Sequence, residues 1–503
     1  MSELLAAFGT MFGVWPIFYI VLGTVLGVVV GAIPGLGAAM LIALLLPLTF
    51  YMDSVLALIF LVSIYVGSVS GGLISATLMK MPGTPSAIMT TLDGYPMAMR
   101  GEAGKALSLG IFSSFVGGLI SWVLLAVLSP PLARFALRFG PYEYFMLVLM
   151  ALLLISAVSQ GSVLRGLIAA GFGFAVATVG PDVSSGVHRL TFGVDGLHAG
   201  FRLLPTLLGV FVISQVIADM ADTASPIQQA KVRFRDMFSL GRGYLRHSGN
   251  VLRSSVIGTW IGILPGVGSS VAAIVAYSVA RNTSKQPETF GKGSEEGIVA
   301  AETANNASVN GALVPLLALG IPGSVVDAIL IGALMIHNLQ PGPGLFTQQP
   351  DLAYGIIAAA LIANFVMFGF MLGFSGLIAR LCMIPKGLIL PTVVFFCFVG
   401  IYTTTGRLFD IWIMLAFGVV GTLMRWGGLS IGAFVLGYIL SPIAESELRT
   451  GLMLYDGSLW PMVTRPISLT FLVASLAILV WPVVRQRRRR VEAPTAITSD
   501  QQS

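Results

Sequence analysis

The sequence predicts an all-α polytopic membrane protein, with about 11–12 membrane segments in two repeated halves and with broken or re-entrant helices. Of its 503 residues, 56% are hydrophobic and 10% are charged, whereas roughly a quarter are charged in a soluble globular chain. A helix needs about 20 apolar residues to cross the hydrocarbon core of a bilayer, and several stretches without Asp, Glu, Lys or Arg are about that long or longer. These stretches are Leu4–Met52, Ser54–Met79, Ala106–Ala133, Ser254–Ala280, Thr303–Val326, Leu352–Ala379 and Pro466–Val484.

Basic residues are concentrated in a central segment and after the last apolar stretch. They are Lys231, Arg233, Arg235, Arg242, Arg246 and Arg253 in the centre, and Arg485 and Arg487–Arg490 near the C-terminus. Because Lys and Arg are enriched on the cytoplasmic side of membrane proteins, we predict a cytoplasmic linker at 221–250 and a disordered cytoplasmic tail at 486–503. The membrane repeats are then 1–220 and 251–485. The net charge of +6 reflects this topology, so we expect a lipid bilayer and no nucleic acid as partner.

The two halves share motifs in the same order. The pattern Gly-x-x-x-Gly-x-x-Pro-Gly-x-Gly occurs at 27–37 and again at 258–268, and Met81–Thr84 (Met-Pro-Gly-Thr) is matched by Ile321–Ser324 (Ile-Pro-Gly-Ser). Two paired motifs in one order indicate an internal duplication, which is a common architecture of secondary transporters.

The first part of each Gly-rich pattern indicates helix packing. Glycines at every fourth position, Gly23, Gly27 and Gly31 in one half and Gly258 and Gly262 in the other, leave a bare strip on one helix face. Such a strip lets two helix backbones approach closely. We therefore interpret these glycines as structural.

The Pro-Gly-x-Gly that follows predicts a helix break rather than a continuous helix. Pro removes a backbone donor and Gly permits left-handed backbone, and a break at membrane depth is tolerated where it lines a polar cavity. Half-helix N-termini after the break can bind an anion. Gly35 and Gly37, with Gly266 and Gly268 in the second half, are therefore predicted substrate-binding positions. A simple Pro kink is the alternative.

Polar residues within the apolar stretches provide further candidates. Thr84, Ser86, Asn305, Asn306 and Ser324 have hydroxyl or amide groups that can donate to a carboxylate or offer oxygen to a cation. We predict that they bind the substrate.

Three acids lie in or beside the apolar stretches. Glu302 and Asp327 are intramembrane acids, which are costly and hence functional candidates, so we predict that they take part in ion coupling. The alternative is that they cap helices at the water interface. Asp93 precedes Gly94-Tyr95-Pro96, which we interpret as a loop.

Motifs for catalysis are missing from the sequence. There is no G-x-x-x-x-G-K-[ST] phosphate loop and no H-E-x-x-H zinc motif. Gly428-x-Ser430-x-Gly432 fits the nucleophile-elbow string, but it lies in a Gly-rich apolar stretch that indicates helix packing. We predict that the chain is not an enzyme and has neither a cofactor nor a structural metal site. A channel is the remaining alternative, since broken helices also build pores.

Several motifs resemble one known family, the large membrane subunit (permease) of tripartite tricarboxylate transporters. The matching segments are Pro82–Ser86, Leu92–Met97, Gly101–Ala106, Arg189–Gly193, Phe290–Gly297, Glu302–Ala307, Gly320–Ser324 and Pro341–Gly344. The resemblance implies a multi-pass bacterial inner-membrane secondary transporter that imports di- or tricarboxylates or related organic anions. It also implies coupling to Na⁺ or H⁺, a small membrane subunit and a periplasmic solute-binding protein as partners. A channel for anions, or a permease for a non-carboxylate solute, is the alternative.

The chain departs from the family's motifs at two places. Ser70–Leu73 reads Ser-Gly-Gly-Leu where the family often has Tyr-Gly-Gly-Ser, and Lys80 stands where it often has Asn. Because Lys80 precedes Met81-Pro82, we predict that it pairs with a substrate carboxylate or replaces a coupling cation.

Overall fold

The structure is a computed structural model that describes residues 2–158, 162–182, 185–221 and 241–491. It is almost entirely helical, which confirms the predicted all-α class. Most of the predicted linker, residues 222–240, and most of the predicted tail, residues 492–503, lie outside the described residues.

The helices form one series along the chain, with a two-stranded antiparallel hairpin between α8 and α9. Their bounds are α1 Ser2–Met11, α2 Val14–Ala32, α3 Ala38–Thr49, α4 Ser54–Met79, α5 Ile88–Met97, α6 Ala103–Ala136, α7 Pro141–Val158, α8 Val163–Ala177, β1 Gly180–Pro181, β2 His188–Arg189, α9 Leu203–Leu207, α10 Ser214–Ala221, α11 Ser248–Ile263, α12 Gly268–Thr283, α13 Glu295–Leu319, α14 Val325–Ile336, α15 Leu345–Gln348, α16 Pro350–Leu381, α17 Lys386–Thr405, α18 Leu408–Trp426, α19 Ile431–Leu454, α20 Pro461–Thr464 and α21 Pro466–Val491. A π-helical stretch, Leu208–Ile213, joins α9 to α10, and a 3₁₀ turn, Pro85–Ala87, precedes α5.

Within the described residues, eight helical stretches are long and apolar enough to cross a membrane. They are Val14–Ala32, Ser54–Met79, Pro85–Ala136, Leu203–Met220, Pro350–Leu381, Gly387–Thr405, Leu408–Trp426 and Ile431–Leu454. Shorter apolar helices are Ala38–Thr49, Pro141–Ala157, Val163–Ala177, Val325–Ile336 and Pro466–Val480. The predicted number of 11–12 exceeds the number of full-length spans because it included segments too short to cross alone.

Close backbone contacts join α2 to α4 and α11 to α13. A methyl group added to Gly27 would overlap the carbonyl oxygen of Ile64, and one added to Gly258 would overlap that of Ala304. The contact is reciprocal in the second pair, because a methyl group added to Gly311 of α13 would overlap the carbonyl oxygen of Thr259 in α11. The interpretation of these glycines as packing positions is therefore confirmed.

Both Pro-Gly-x-Gly segments end a helix and start another. α2 ends at Ala32 and α3 begins at Ala38, whereas α11 ends at Ile263 and α12 begins at Gly268. Gly35 and Gly266 have left-handed φ angles of 94° and 71°, which residues with a Cβ rarely adopt. The predicted breaks are therefore present, and they are not kinks in continuous helices.

The buried helices α4 and α13 each end in a second loop that returns toward the first break. A methyl group on Gly83 would overlap the carbonyl oxygen of Gly31, and one on Gly323 would lie 2.6 Å from that of Gly262. Each loop therefore packs on the end of the helix before the break in its own half. The halves thus repeat the same local contacts, while their origin by duplication stays a prediction.

Three boundaries differ from those expected from the sequence. Gly94–Pro96 belongs to α5 and is not a loop, because a Pro in the last turn of a short helix still leaves most backbone bonds intact. α11 starts at Ser248, inside the predicted linker, and α21 extends to Val491, inside the predicted tail. Arg and Gln are good helix formers, so the apolar helix continues into the basic run.

Because Gly27 contacts the backbone of α4 directly, Gly27→Ala should destabilise the fold. We expect a loss of about 1–3 kcal/mol in the free energy of unfolding, the usual cost of overpacking, measured by denaturant titration of the purified protein in detergent. Gly373→Ala on α16 is the matched control, since no atom lies within 4 Å of the added methyl. Equal stability of the two variants would contradict the packing account.

Candidate functional site

A cavity of about 940 Å³ lies between the two helix breaks and the loops that follow α4 and α13. Helices α8, α18 and α19 complete its wall through their ends. Of the residues predicted to bind a substrate, those that line it are Gly35, Gly37, Thr84, Ser86, Gly266, Gly268 and Ser324. The two motifs of each half, far apart in sequence, therefore meet at one site.

The helix N-termini at the breaks face this cavity. Gly37 has extended backbone with φ −84°, and a Cβ placed there would meet no atom within 4 Å. Gly268 opens α12 with a left-handed φ of 72°, and Ser269 and Ser270 follow it along the cavity wall. The first N–H groups of a helix have no partner within the helix, so both N-termini can receive an anion.

Hydroxyl groups line the loops opposite the breaks. Thr84 and Ser86 are buried, and their oxygens are 2.9 Å apart. Ser324 caps α14 by accepting from the backbone N–H of Asp327 at 3.3 Å, and its hydroxyl also contacts the hydroxyl of Tyr65 at 3.0 Å. Tyr65 lies on α4 and lines the cavity, although no sequence motif indicates it.

Two arginines in the cavity wall were also not predicted from the sequence. Arg165 lies in the first turn of α8, which Ser162 caps, and Arg425 lies at the end of α18, where it donates to Gln215 Oε1 at 2.6 Å. Among the described lining residues there is no Asp or Glu. Each arginine is a charged residue in an apolar helix, which is the signal that could have identified it.

One carboxylate lies at the edge of the cavity without lining it. Asp219 accepts from Gln215 Nε2 at 3.0 Å, and its Oδ2 is 2.8 Å from the position that a Cβ on Gly35 would take. A chain Asp219–Gln215–Arg425 therefore connects the first helix break to the end of α18.

Glu302, Asn305 and Asn306 lie outside the cavity, in a closed polar cluster between α4, α5, α6 and α13. Glu302 is fully buried, and its carboxylate accepts from Thr90 and, at 3.3 Å, from Ser114. Both side-chain polar atoms of Asn305 are buried without a hydrogen-bond partner. The structure does not bring these residues to the cavity, because their faces of α13 pack against neighbouring helices.

Asn306 ties this cluster to α4. Its Oδ1 accepts from Ser70 at 2.5 Å, and its Nδ2 donates to the backbone of Glu302 at 3.2 Å. Both polar atoms of the Asn306 amide are therefore hydrogen-bonded within the protein.

Asp327 does not line the cavity but contacts Ser324, which does. It is fully buried, its Oδ2 accepts from Ser324 at 2.5 Å, and its Oδ1 has no hydrogen-bond partner.

Lys80 and Asp93 are located away from the cavity. Lys80 is exposed at the end of α4, in left-handed backbone with φ 58°, and its ammonium lies 5.9 Å from the centre of the Tyr95 ring. Asp93 is buried and accepts from the backbone N–H groups of Gly291, Gly293 and Ser294 at 2.8–2.9 Å. Asp93 therefore fixes α5 to the loop before α13, and we assign it a structural role.

The equivalent of Lys80 in the second half is Gly320, which has φ 70°. This position has left-handed backbone in both halves, a conformation that Gly and Asn adopt more readily than Lys. In the described part of the chain, no three His, Cys, Asp or Glu side chains converge as they would around a transition metal.

Comparison with known proteins gives one family and two relatives. The model of the "Tripartite tricarboxylate transporter TctA family" matches residues 17–436. A relative from Agrobacterium vitis, an "Uncharacterized 52.8 kDa protein in TAR-I ttuC' 3'region", is 35% identical over 481 residues, 95% of each chain. An "Uncharacterized protein in TAR-II ttuC' 3'region" of the same organism is 34% identical over 237 residues, 46% of this chain and 98% of its own. No solved structure matches.

Proposed function

The chain belongs to the tripartite tricarboxylate transporter TctA family, and we propose that it is the permease that carries an organic anion with two or more carboxylates through the 940 Å³ cavity. The observation that carries this proposal is the charge of the cavity wall. Two arginines and two helix N-termini face it, and none of its described lining residues is acidic.

Each of these groups suits a carboxylate. Arginine presents a planar set of donors that matches a carboxylate in a bidentate manner, and a helix N-terminus offers unpaired N–H groups together with partial positive charge. Hydroxyls of Thr84, Ser86, Ser269, Ser270 and Ser324 complete the set of neutral donors. A substrate with separated carboxylates can contact several of these groups at once.

The paired breaks suit a transporter with alternating access. In such proteins a central site lies between internal repeats, and one half moves against the other. The residues around the cavity come from both halves, 1–220 and 251–485. We propose that the halves are duplicates and that their relative movement exposes the cavity to each side of the bacterial inner membrane in turn. From the family we infer a small membrane subunit and a periplasmic solute-binding protein as partners.

The closed cluster at Glu302 suits a coupling cation. Its oxygens come from a carboxylate, from the hydroxyls of Thr90 and Ser114, and from the amide of Asn305, which has no partner within hydrogen-bond distance. Hard cations prefer carboxylate, carbonyl and hydroxyl oxygens. Thr90 lies one helical turn beyond Ser86, so the cluster is connected to the cavity by the start of α5. We propose Na⁺ as its ligand.

Removing either cavity arginine should weaken carboxylate binding. For Arg165→Gln and Arg425→Gln we expect a loss of about 1.5–3 kcal/mol each, the range for hydrogen bonds to charged groups, which is roughly a ten- to hundredfold rise in Kd. The measurement is calorimetry of the purified chain with citrate and succinate. Arg138→Gln, on an exposed residue outside the cavity, is the control. Unchanged affinity in both cavity variants would contradict the proposed site.

Glu302→Gln should weaken the dependence of uptake on Na⁺ and leave the protein folded, because it keeps size while removing the charge that a cation needs. The measurement is uptake into proteoliposomes at varied Na⁺ concentration, alongside the melting temperature. Glu296→Gln, in the first turn of the same helix, is the control. Uptake by Glu302→Gln with the Na⁺ dependence of the wild type would exclude this acid from coupling.

A further inference from the structure

A chain of hydroxyl groups connects the cavity to a buried carboxyl group. Tyr65 and Ser324 both line the cavity, their oxygens are 3.0 Å apart, and the Ser324 hydroxyl lies 2.5 Å from Asp327 Oδ2. Asp327 itself has no exposed surface. A single hydroxyl therefore separates this carboxyl group from the space in which the anion is proposed to bind.

Among the residues that the structure describes, no Lys, Arg or His forms an ion pair with Asp327. Helix α14 packs against α3, α4, α9, α13 and α19, and α3 and α9 carry no titratable residue. From α4 the group that faces Asp327 is the Tyr65 phenol. The titratable groups of the other two helices are engaged elsewhere. On α13, Glu295 and Glu296 lie in the first turn, where Glu295 pairs with Lys105 and Arg246, and Glu302 contacts Thr90 and Ser114. On α19, Glu445 pairs with Arg189 and Arg449, Arg449 also pairs with Asp182, Glu447 lies near Tyr144, and the Tyr438 hydroxyl donates to the backbone of Phe201. His337, which follows α14, lies near Asp53 instead.

This environment disfavours the charged form of Asp327. A buried ionised carboxylate without a cation costs several kcal/mol, and here one of its two oxygens, Oδ1, also lacks a hydrogen bond. Protonation of the carboxylate removes the charge, and Oδ2, which the Ser324 hydroxyl contacts, is the oxygen that a proton can reach. The hydroxyls of Ser324 and Tyr65 can each donate and accept, so they provide a path by which a proton passes between the cavity and the carboxyl group.

Helix capping accounts for only part of this geometry. Ser324 and Asp327 form a Ser-x-x-Asp arrangement at the start of α14, in which an acid at the third position supports the cap. A cap needs neither the complete burial of Oδ1 nor the contact with Tyr65 from the other half of the chain. Those two features point to a second role.

We propose that Asp327 is a proton-binding site coupled to the cavity, so that each anion bound there is accompanied by uptake of a proton on Asp327. The inference rests on the proposed function, since it is the anion that drives protonation. A carboxylate bound beside Ser324 is a like charge near Asp327 and makes its ionised form less favourable still. The proton comes from solvent through the cavity. The Ser324 hydroxyl passes a proton to Asp327 Oδ2, forming one O–H bond there, and takes up a replacement proton from the Tyr65 hydroxyl or from the cavity. The proton leaves by the same path when the anion leaves.

The test is calorimetry of citrate binding to the purified full chain in buffers of different ionisation enthalpy, well above the last pKa of citrate. The dependence of the observed heat on the buffer gives the number of protons taken up. We expect uptake of up to one proton per citrate in the wild type, none in Asp327→Asn, and uptake again in Asp327→Glu, which restores a carboxyl group. Glu296→Gln, which alters an acid in the first turn of α13 that does not line the cavity, should keep wild-type uptake.

Binding of citrate by the wild type without proton uptake at any pH would overturn the proposal, as would unchanged uptake in Asp327→Asn. If the Asn variant does not fold, the Ser324→Ala variant tests the proposal instead. It removes the hydroxyl that is hydrogen-bonded to Asp327, so it should shift the pH profile of proton uptake. An unshifted profile would overturn the proposal. If the wild type bound neither citrate nor succinate, the proposed function would fail and this inference with it.

Discussion

Direct contact between helix backbones is the constraint on which the rest of the structure depends. α2 lies against α4, and α11 against α13, with glycine facing a carbonyl group at each crossing. Since no side chain separates the backbones, the ends of α2 and α11 are held beside the loops that follow α4 and α13. The unpaired N–H groups at the breaks are thereby kept within one cavity, which a loosely packed bundle could not do.

The sequence predicted the parts of this arrangement that depend on local backbone chemistry. Pro-Gly-x-Gly predicts a break because Pro and Gly act on the residues beside them, and Gly at every fourth position predicts close packing because a helix repeats at that spacing. Seven of the predicted binding residues therefore line the cavity. By contrast, Arg165, Arg425 and Tyr65 are distant from the motifs along the chain, and only the fold brings them to the site. The opposite error occurs at Asn305 and Asn306, which were predicted to bind the substrate but do not line the cavity. Their polarity is evident from the sequence, but the helix that their side of α13 faces is not.

Two buried acids are proposed to take part in ion coupling, and the groups around each acid differ. Glu302 lies among oxygens that could surround a metal cation, one of them the unpartnered Asn305 amide. Asp327 has hydroxyl neighbours that lead to the cavity. In the proposed function, a buried carboxyl group thus serves a different ion according to the number and kind of groups that the helices place around it. Lys80, although close in sequence to the first loop, does not line the cavity, and its ammonium lies 5.9 Å from the centre of the Tyr95 ring.

The central claim is that the substrate binds against the helix breaks, and Gly37 allows this to be measured directly. Its extended backbone and open surroundings accept a side chain, so Gly37→Cys should fold in a background where the buried Cys382 and Cys397 are replaced by Ala. The measurement is the rate at which a water-soluble thiol reagent modifies this cysteine, with and without a carboxylate that calorimetry has shown to bind. We predict that the bound carboxylate slows modification in proportion to occupancy. Binding of the carboxylate with no change in the rate of modification would contradict the account and place the site elsewhere.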